Sequence, residues 1–218
     1  MDRGREITAV LDPAAGPAPA AVFVCAHGAG GHLADRGLLQ VAAALRGRGL
    51  SVVRFNFPYA EAGSRRPDPM PTLTRAVAAV AGRVTQELEP KLLILGGRSM
   101  GGRAASLLAA DGFPCDALLL LAYPLHPANR PDRLREAHLP AIRVPVLCFN
   151  GTRDALCRRD LMERTLERLG PGWTMHWLEG ADHGFHVLKA SGRTDAAVLE
   201  EIAAVTEGWV SRLVPAAA

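Results

Sequence analysis

Nearly unbroken apolar runs alternate along this chain with stretches whose apolar residues recur every three or four positions. Ala21 to Cys25, Leu50 to Phe57, Leu92 to Leu95, Ala117 to Ala122 and Val146 to Phe149 are of the first kind. They predict strands covered on both faces, since a strand with one wet face would alternate. Ile7 to Leu11 reads as a short edge strand, and Trp173 to Leu178 alternates as a strand. Between these lie helical faces: Leu38, Val41, Ala42 and Leu45, then Leu73, Val77, Val80, Val84 and Leu88, then Leu161, Met162, Leu166 and Leu169. A further alanine-rich pattern follows Ser99 through Ala110 and stops at Gly112. The last helix is predicted over Asp195 to Leu213, with Val198, Leu199, Ile202, Val205, Trp209 and Val210 on one face.

Strand and helix in alternation imply an α/β protein. Right-handed crossovers would join a mostly parallel sheet of about seven strands, with helices on both faces. Two stretches break the rhythm. The Pro/Ala-rich loop 12–19 is too short to separate domains, and 123–144 is a polar, proline-broken connection with one short helical piece around Asp132 to His138. The expectation is one domain over residues 1–218, with no internal repeat.

Composition narrows the function. With 49% hydrophobic and 22% charged residues the chain is too apolar for disorder. Its net charge of +3 is spread out, with no basic stripe carrying aromatics, so nucleic acid is not an expected partner. The N-terminal MDRGREITAVLD lacks the apolar core of a signal peptide, and Ala20 to Ala26 is too short to span a bilayer, so no membrane is expected. Cys25, Cys115, Cys148 and Cys157 show no C-x-x-C pairing and no metal-ligand spacing with histidine. A reducing cytoplasm fits them best.

The chemistry gathers around KLLILGGRSMGGR, residues 91–103. A buried strand ends in Gly96-Gly97-Arg98-Ser99-Met100-Gly101-Gly102 and a helix begins at once, which displays Ser99 at a strand-to-helix turn. Gly97 and Gly101 leave room for so tight a turn. The Met100 N–H, at the positive end of the helix, can face an oxyanion. A serine hydroxyl needs a base, and the base needs an acid. His183, in the Gly-rich loop after Trp173 to Leu178, is the candidate base, and Asp154, after Gly151-Thr152, is the candidate acid. Asp182 is a rival acid, but adjacent side chains in an extended loop point apart. His186 is a rival base, read more simply as a partly buried histidine.

His27-Gly28-Ala29-Gly30-Gly31 has the form of a loop donating a second oxyanion N–H, from Ala29 or else Gly30. It lacks the lysine and Ser/Thr of a P-loop and the spacing of a dinucleotide fingerprint. Ligands of such sheets bind at the carboxyl ends of strands, where all these residues fall. His27, Gly30, Arg98, Tyr59 and Tyr123 share that rim and are the candidate substrate-binding residues. Arg98, Arg103 and Arg153 could attract an anionic substrate, and His126 follows a strand on the same side.

HGAGG, GGRSMGGR, NGTRD and GADHGF, in this order and spacing, resemble a small serine hydrolase of the α/β-hydrolase superfamily, on the compact branch similar to dienelactone hydrolase. The resemblance runs from Ala20 onward. It implies Ser99 as nucleophile, Asp154 as acid, His183 as base, and the Met100 and Ala29 N–H groups as oxyanion hole. Dienelactone hydrolase itself uses cysteine, so its substrate does not carry over to Ser99. Many lipases insert a helical cap where this chain has only Tyr123 to Val144. That implies an open, shallow site and a small acyl substrate. No metal or organic cofactor is implied. The expected activity is ester cleavage, with thioester and peptide bonds left open. The alternative is a binding or scaffold protein that keeps the hydrolase fold.

Overall fold

A computed structural model describes residues 6–15 and 21–214. Residues 16–19 of the 12–19 loop, and residues 1–5 of the N-terminal stretch, lie outside the described residues. Seven strands form one sheet: β1 (Ala9–Asp12), β2 (Ala21–Ala26), β3 (Ser51–Phe55), β4 (Leu92–Arg98), β5 (Ala117–Leu121), β6 (Val146–Gly151) and β7 (Trp173–Leu178). Their order is β1-β3-β2-β4-β5-β6-β7, and only β1 is antiparallel to its neighbour. Six α-helices accompany them: α1 (Arg36–Gly47), α2 (Pro58–Glu61), α3 (Met70–Leu88), α4 (Met100–Ala110), α5 (Arg159–Leu166) and α6 (Asp195–Leu213).

The period-2 geometry of strands explains why the central ones are apolar throughout. Successive side chains point to opposite faces. Val22 and Val24 of β2, Leu93 and Leu95 of β4 and Leu118 and Leu120 of β5 join a core with α3 and α4. Phe23 and Cys25, Leu92 and Ile94, and Leu119 and Leu121 join a second core with Leu38, Val41 and Leu45 of α1 and Val198, Ile202 and Trp209 of α6. Neither face of these strands meets water, so neither tolerates a polar side chain.

Several boundaries differ from the sequence expectation. The edge strand starts at Ala9 and includes Asp12, whose carboxylate takes the buried Arg54 guanidinium of β3. That ion pair offsets the poor strand propensity of Asp. Strand β3 stops at Phe55, because Pro58 starts the short α2, which the sequence did not predict. No helix forms over Asp132 to His138. There the Arg135 N–H donates to Leu125 O at 2.7 Å and the Tyr123 hydroxyl to Arg135 O at 2.7 Å, which holds the chain in turns and irregular backbone up to a 3₁₀ turn at Leu139–Ala141. Leu169 lies beyond α5, although it packs on the same core. Trp209 is buried, whereas Trp173 and Trp177 of the edge strand β7 are half-buried. Among the described residues no helix is long and apolar enough to cross a membrane.

Candidate active site

Ser99 sits between β4 and α4 with φ +50° and ψ −113°, a backbone conformation that L-residues rarely adopt. The surroundings fix it there. A Cβ on Gly97 would lie 2.2 Å from Ala26 O, and one on Gly101 would lie 2.5 Å from the same atom. The two glycines therefore admit the end of the neighbouring strand β2 as much as they relieve the turn itself. The Ser99 N–H donates to Leu121 O at 2.8 Å, across to β5.

His183 and Asp154 meet this serine from distant parts of the chain. His183 Nε2 lies 2.9 Å from Ser99 Oγ, and His183 Nδ1 lies 2.8 Å from Asp154 Oδ2 and 2.9 Å from Oδ1. A carboxylate can only accept, so Nδ1 carries the proton and leaves the Nε2 lone pair for the serine O–H. The Asp154 side chain is fully buried and His183 is 27% exposed, so the acid is dry and the base reachable. Asp154 Oδ1 also accepts the Leu156 N–H at 2.8 Å, so the residue braces its own loop while it holds the histidine.

The loop at residues 27–31 lies against the serine: a Cβ on Gly28 would be 3.7 Å from Ser99 Cβ. The Gly30 N–H is committed, donating to Tyr59 Oη at 3.1 Å. Among the described residues, neither the Ala29 N–H nor the Met100 N–H is donated to a protein acceptor. Of the two loop candidates, Ala29 is thus the one with its donor to spare.

A family model described as an alpha/beta hydrolase domain matches residues 19–211. The chain belongs to the alpha/beta hydrolase family. Solved structures agree on the fold. An alpha-beta serine hydrolase homologue from Coxiella burnetii matches with a TM-score of 0.75 at 20% identity, over 91% of each chain. A serine hydrolase without lid from Xanthomonas campestris matches at TM-score 0.72 and 24% identity, over 97% of this chain and 91% of its own. The dienelactone hydrolase of Anabaena variabilis matches at TM-score 0.72 and 19% identity, over 96% of this chain and 93% of its own.

Within this hydrolase the residues expected to bind substrate make the following contacts with the chain itself. His27 is 1% exposed; its Nδ1 donates to Gly28 O at 2.9 Å and its Nε2 accepts the Phe57 N–H at 3.1 Å. It fastens the loop to the Phe57 backbone. Burial lowers its pKa, in keeping with a ring that must stay neutral to accept. Tyr59, 3% exposed, braces Gly28 and Gly30, so the Gly30 N–H is not available to substrate either. Tyr123 is fully buried and anchors the 123–144 connection through Arg135 O. Arg98 reaches the His183 carbonyl at 3.3 Å and lies 6.0 Å from the Phe185 ring centre. Arg153 donates to Gly180 O, and His126 is buried in an equivalent backbone clasp between Pro127 O and the Arg158 N–H. All act on loops because each strand end must be fastened before a side chain on it can be aimed.

Two further contributors escaped the sequence reading as such. Asn150, fully buried at the end of β6, donates to Asp154 Oδ2 and to Tyr123 O, both at 3.0 Å, and accepts the Tyr123 N–H at 3.2 Å. An amide in an apolar strand was the available signal. Asp182 accepts the N–H groups of Gly184 at 2.7 Å and His186 at 3.0 Å, so it shapes the histidine loop instead of serving as the acid. His186 is exposed, contrary to its simple reading, and its Nδ1 pairs with Asp195 Oδ2 at 2.7 Å.

Proposed function

We propose that this alpha/beta hydrolase is a serine hydrolase that cleaves a carboxylic ester, or a related acyl bond, of a small substrate. The observation that carries the reading is the continuous hydrogen-bonded line from Asp154 through His183 to Ser99. Ser99 Oγ attacks the carbonyl carbon while its proton passes to His183 Nε2. The oxyanion is met by the N–H groups of Met100 and Ala29, and Asp154 stabilises the imidazolium. Collapse of the tetrahedral intermediate expels the alcohol, which takes the proton from His183 and leaves an acyl-enzyme. Water then attacks that ester with His183 as base. The acid departs and the serine is restored. One water is consumed for each ester cleaved, and its second proton restores the Ser99 hydroxyl through His183.

Short-chain carboxylesters are the favoured class. The 123–144 connection brings no helical lid over Ser99, only a 3₁₀ turn, so little apolar surface is available to hold a long acyl tail. A cytoplasmic setting belongs to the reading and is supported by the four free thiols.

Labelling with a fluorophosphonate, followed by mass spectrometry, tests the assignment. The adduct is expected on Ser99 and is lost in Ser99→Ala, whose turnover on p-nitrophenyl acetate falls on the order of a million-fold. Folded wild-type protein that takes no label would overturn the proposal and favour a binding role for the fold.

A further inference from the structure

A cavity of about 310 Å³ lies between the first turn of α1, the histidine loop and the start of α6. Arg36, Gln40, Arg98, His186 and Asp195 supply its polar wall. Arg98 is fitted into it. A Cβ on Gly37 would lie 2.5 Å from Arg98 Nη1, so the helix leaves room for the guanidinium only because residue 37 is glycine. Among the described residues Arg98 donates one hydrogen bond, to His183 O, and Arg36 donates none. Neither forms an ion pair there.

The one carboxylate in the wall is already engaged. Asp195 Oδ2 takes His186 Nδ1 at 2.7 Å, and Oδ1 takes the Val187 N–H at 2.9 Å. The wall therefore holds two guanidinium groups with hydrogen-bond donors to spare, although the charge of Arg36 also acts on Asp195. Burial lowers the pKa of Arg98, and the charges of Asp35, Asp182 and Asp154 offset that cost only in part, so a bound anion would offset more of it. Two planar cations that line one cavity from different elements suit a multiply charged oxyanion better than a single carboxylate.

We propose that this cavity binds a phosphate-type dianion, as the free ion or as the phosphoryl group of a small metabolite, through Arg36 and Arg98 with Gln40 as a further donor. The same Arg98 holds the His183 carbonyl, so an occupant is one residue away from the proposed base. That coupling rests on the hydrolase reading, whereas the binding does not.

Isothermal titration calorimetry at constant ionic strength, with sodium chloride as reference, tests the binding. Inorganic phosphate is expected to give a saturable one-site isotherm, weakened at least about tenfold by Arg36→Ala and by Arg98→Lys. Arg36 is exposed, so its variant keeps the test valid should the Arg98 variant misfold. Arg83→Ala, on the far helix α3, should bind as wild type. Glycerol 3-phosphate binding more tightly than phosphate would identify a metabolite, and the reverse the free ion. No saturable heat, equal binding in Arg36→Ala, or a response to succinate alone would overturn the proposal. Labelling of Ser99 is independent of all three, so failure here leaves the hydrolase assignment standing.

Discussion

The Tyr59 hydroxyl accepts the Gly30 N–H at 3.1 Å and donates to Gly28 O at 3.2 Å, so one buried phenol fixes the peptide units on both sides of Ala29. Burial raises its pKa, which keeps it a donor. The brace matters because an oxyanion donor works only when it is already aimed at the developing charge.

Tyr59→Phe keeps the stacking of this ring on Phe57, 6.3 Å between centres, and deletes both hydrogen bonds. The expected result is a kcat roughly tenfold to a hundredfold lower with KM nearly unchanged. Stability should fall by only about 1 kcal/mol. Steady-state kinetics on a p-nitrophenyl ester measure this split, and an unchanged kcat would remove the Ala29 loop from the oxyanion hole.

Asn150 offers a second test, of the acid. Asn150→Ala strips a donor from buried Asp154 and leaves the Tyr123 N–H unsatisfied, while Tyr123 O keeps the Leu125 N–H. Unpaired buried polar groups each cost about 1–3 kcal/mol, so a loss of roughly 2–4 kcal/mol is expected in urea denaturation. The kcat should drop at the same time, because Asp154 gains freedom to turn from His183. Full stability with full activity would mean that water replaces the amide at no cost.

The sheet was legible because its central strands are buried on both faces and its helices carry one apolar stripe each, two patterns that differ in period. That Ser99, Asp154 and His183 come within hydrogen-bond reach was legible for a related reason. Ser99, Asp154 and His183 each follow a strand within a glycine-bearing turn, and parallel strands bring such turns to one rim. What the side chains beside them do was not legible. Tyr59, Tyr123, His27 and Arg98 share that rim, yet whether a polar group faces substrate or a neighbouring carbonyl depends on loop closure over long sequence separations. Arg98 and His183, 85 residues apart, are the clearest case. Asp12 and Asn150 were missed for the converse reason, since propensity undervalues a polar residue whose partner lies on another strand.

Glycine substitutions separate close approach from helix propensity. Gly101→Ala would set its Cβ 2.5 Å from Ala26 O, a backbone atom that cannot move without shifting β2. A loss of several kcal/mol is expected. Gly82, inside α3, has nothing within 4 Å of an added Cβ, and Gly82→Ala should raise stability by about 0.5–1 kcal/mol. Thermal unfolding of the two variants should therefore shift in opposite directions. A tolerated Gly101→Ala would show that the elbow can relax away from β2.

Stability should fall on mild acidification through His138. Its Nε2 lies 2.8 Å from the Oγ of fully buried Ser106, and burial, with Arg103 nearby, pushes its pKa from 6.5 down to about 4. Between those values the unfolded chain binds a proton that the folded chain refuses. The contribution is complete above pH 6.5 and is lost progressively as the pH falls toward 4. His138 is partly exposed, so solvent screening holds the effect to on the order of 1–2 kcal/mol. Buried His27, its pKa lowered for the same reason, adds in the same direction. The drop in Tm from about pH 7.5 to about pH 5 should be smaller in His138→Gln, which keeps a hydrogen-bonding group toward Ser106 but does not titrate. A variant with the wild-type drop would assign the acid sensitivity to His27 and the remaining titrating groups.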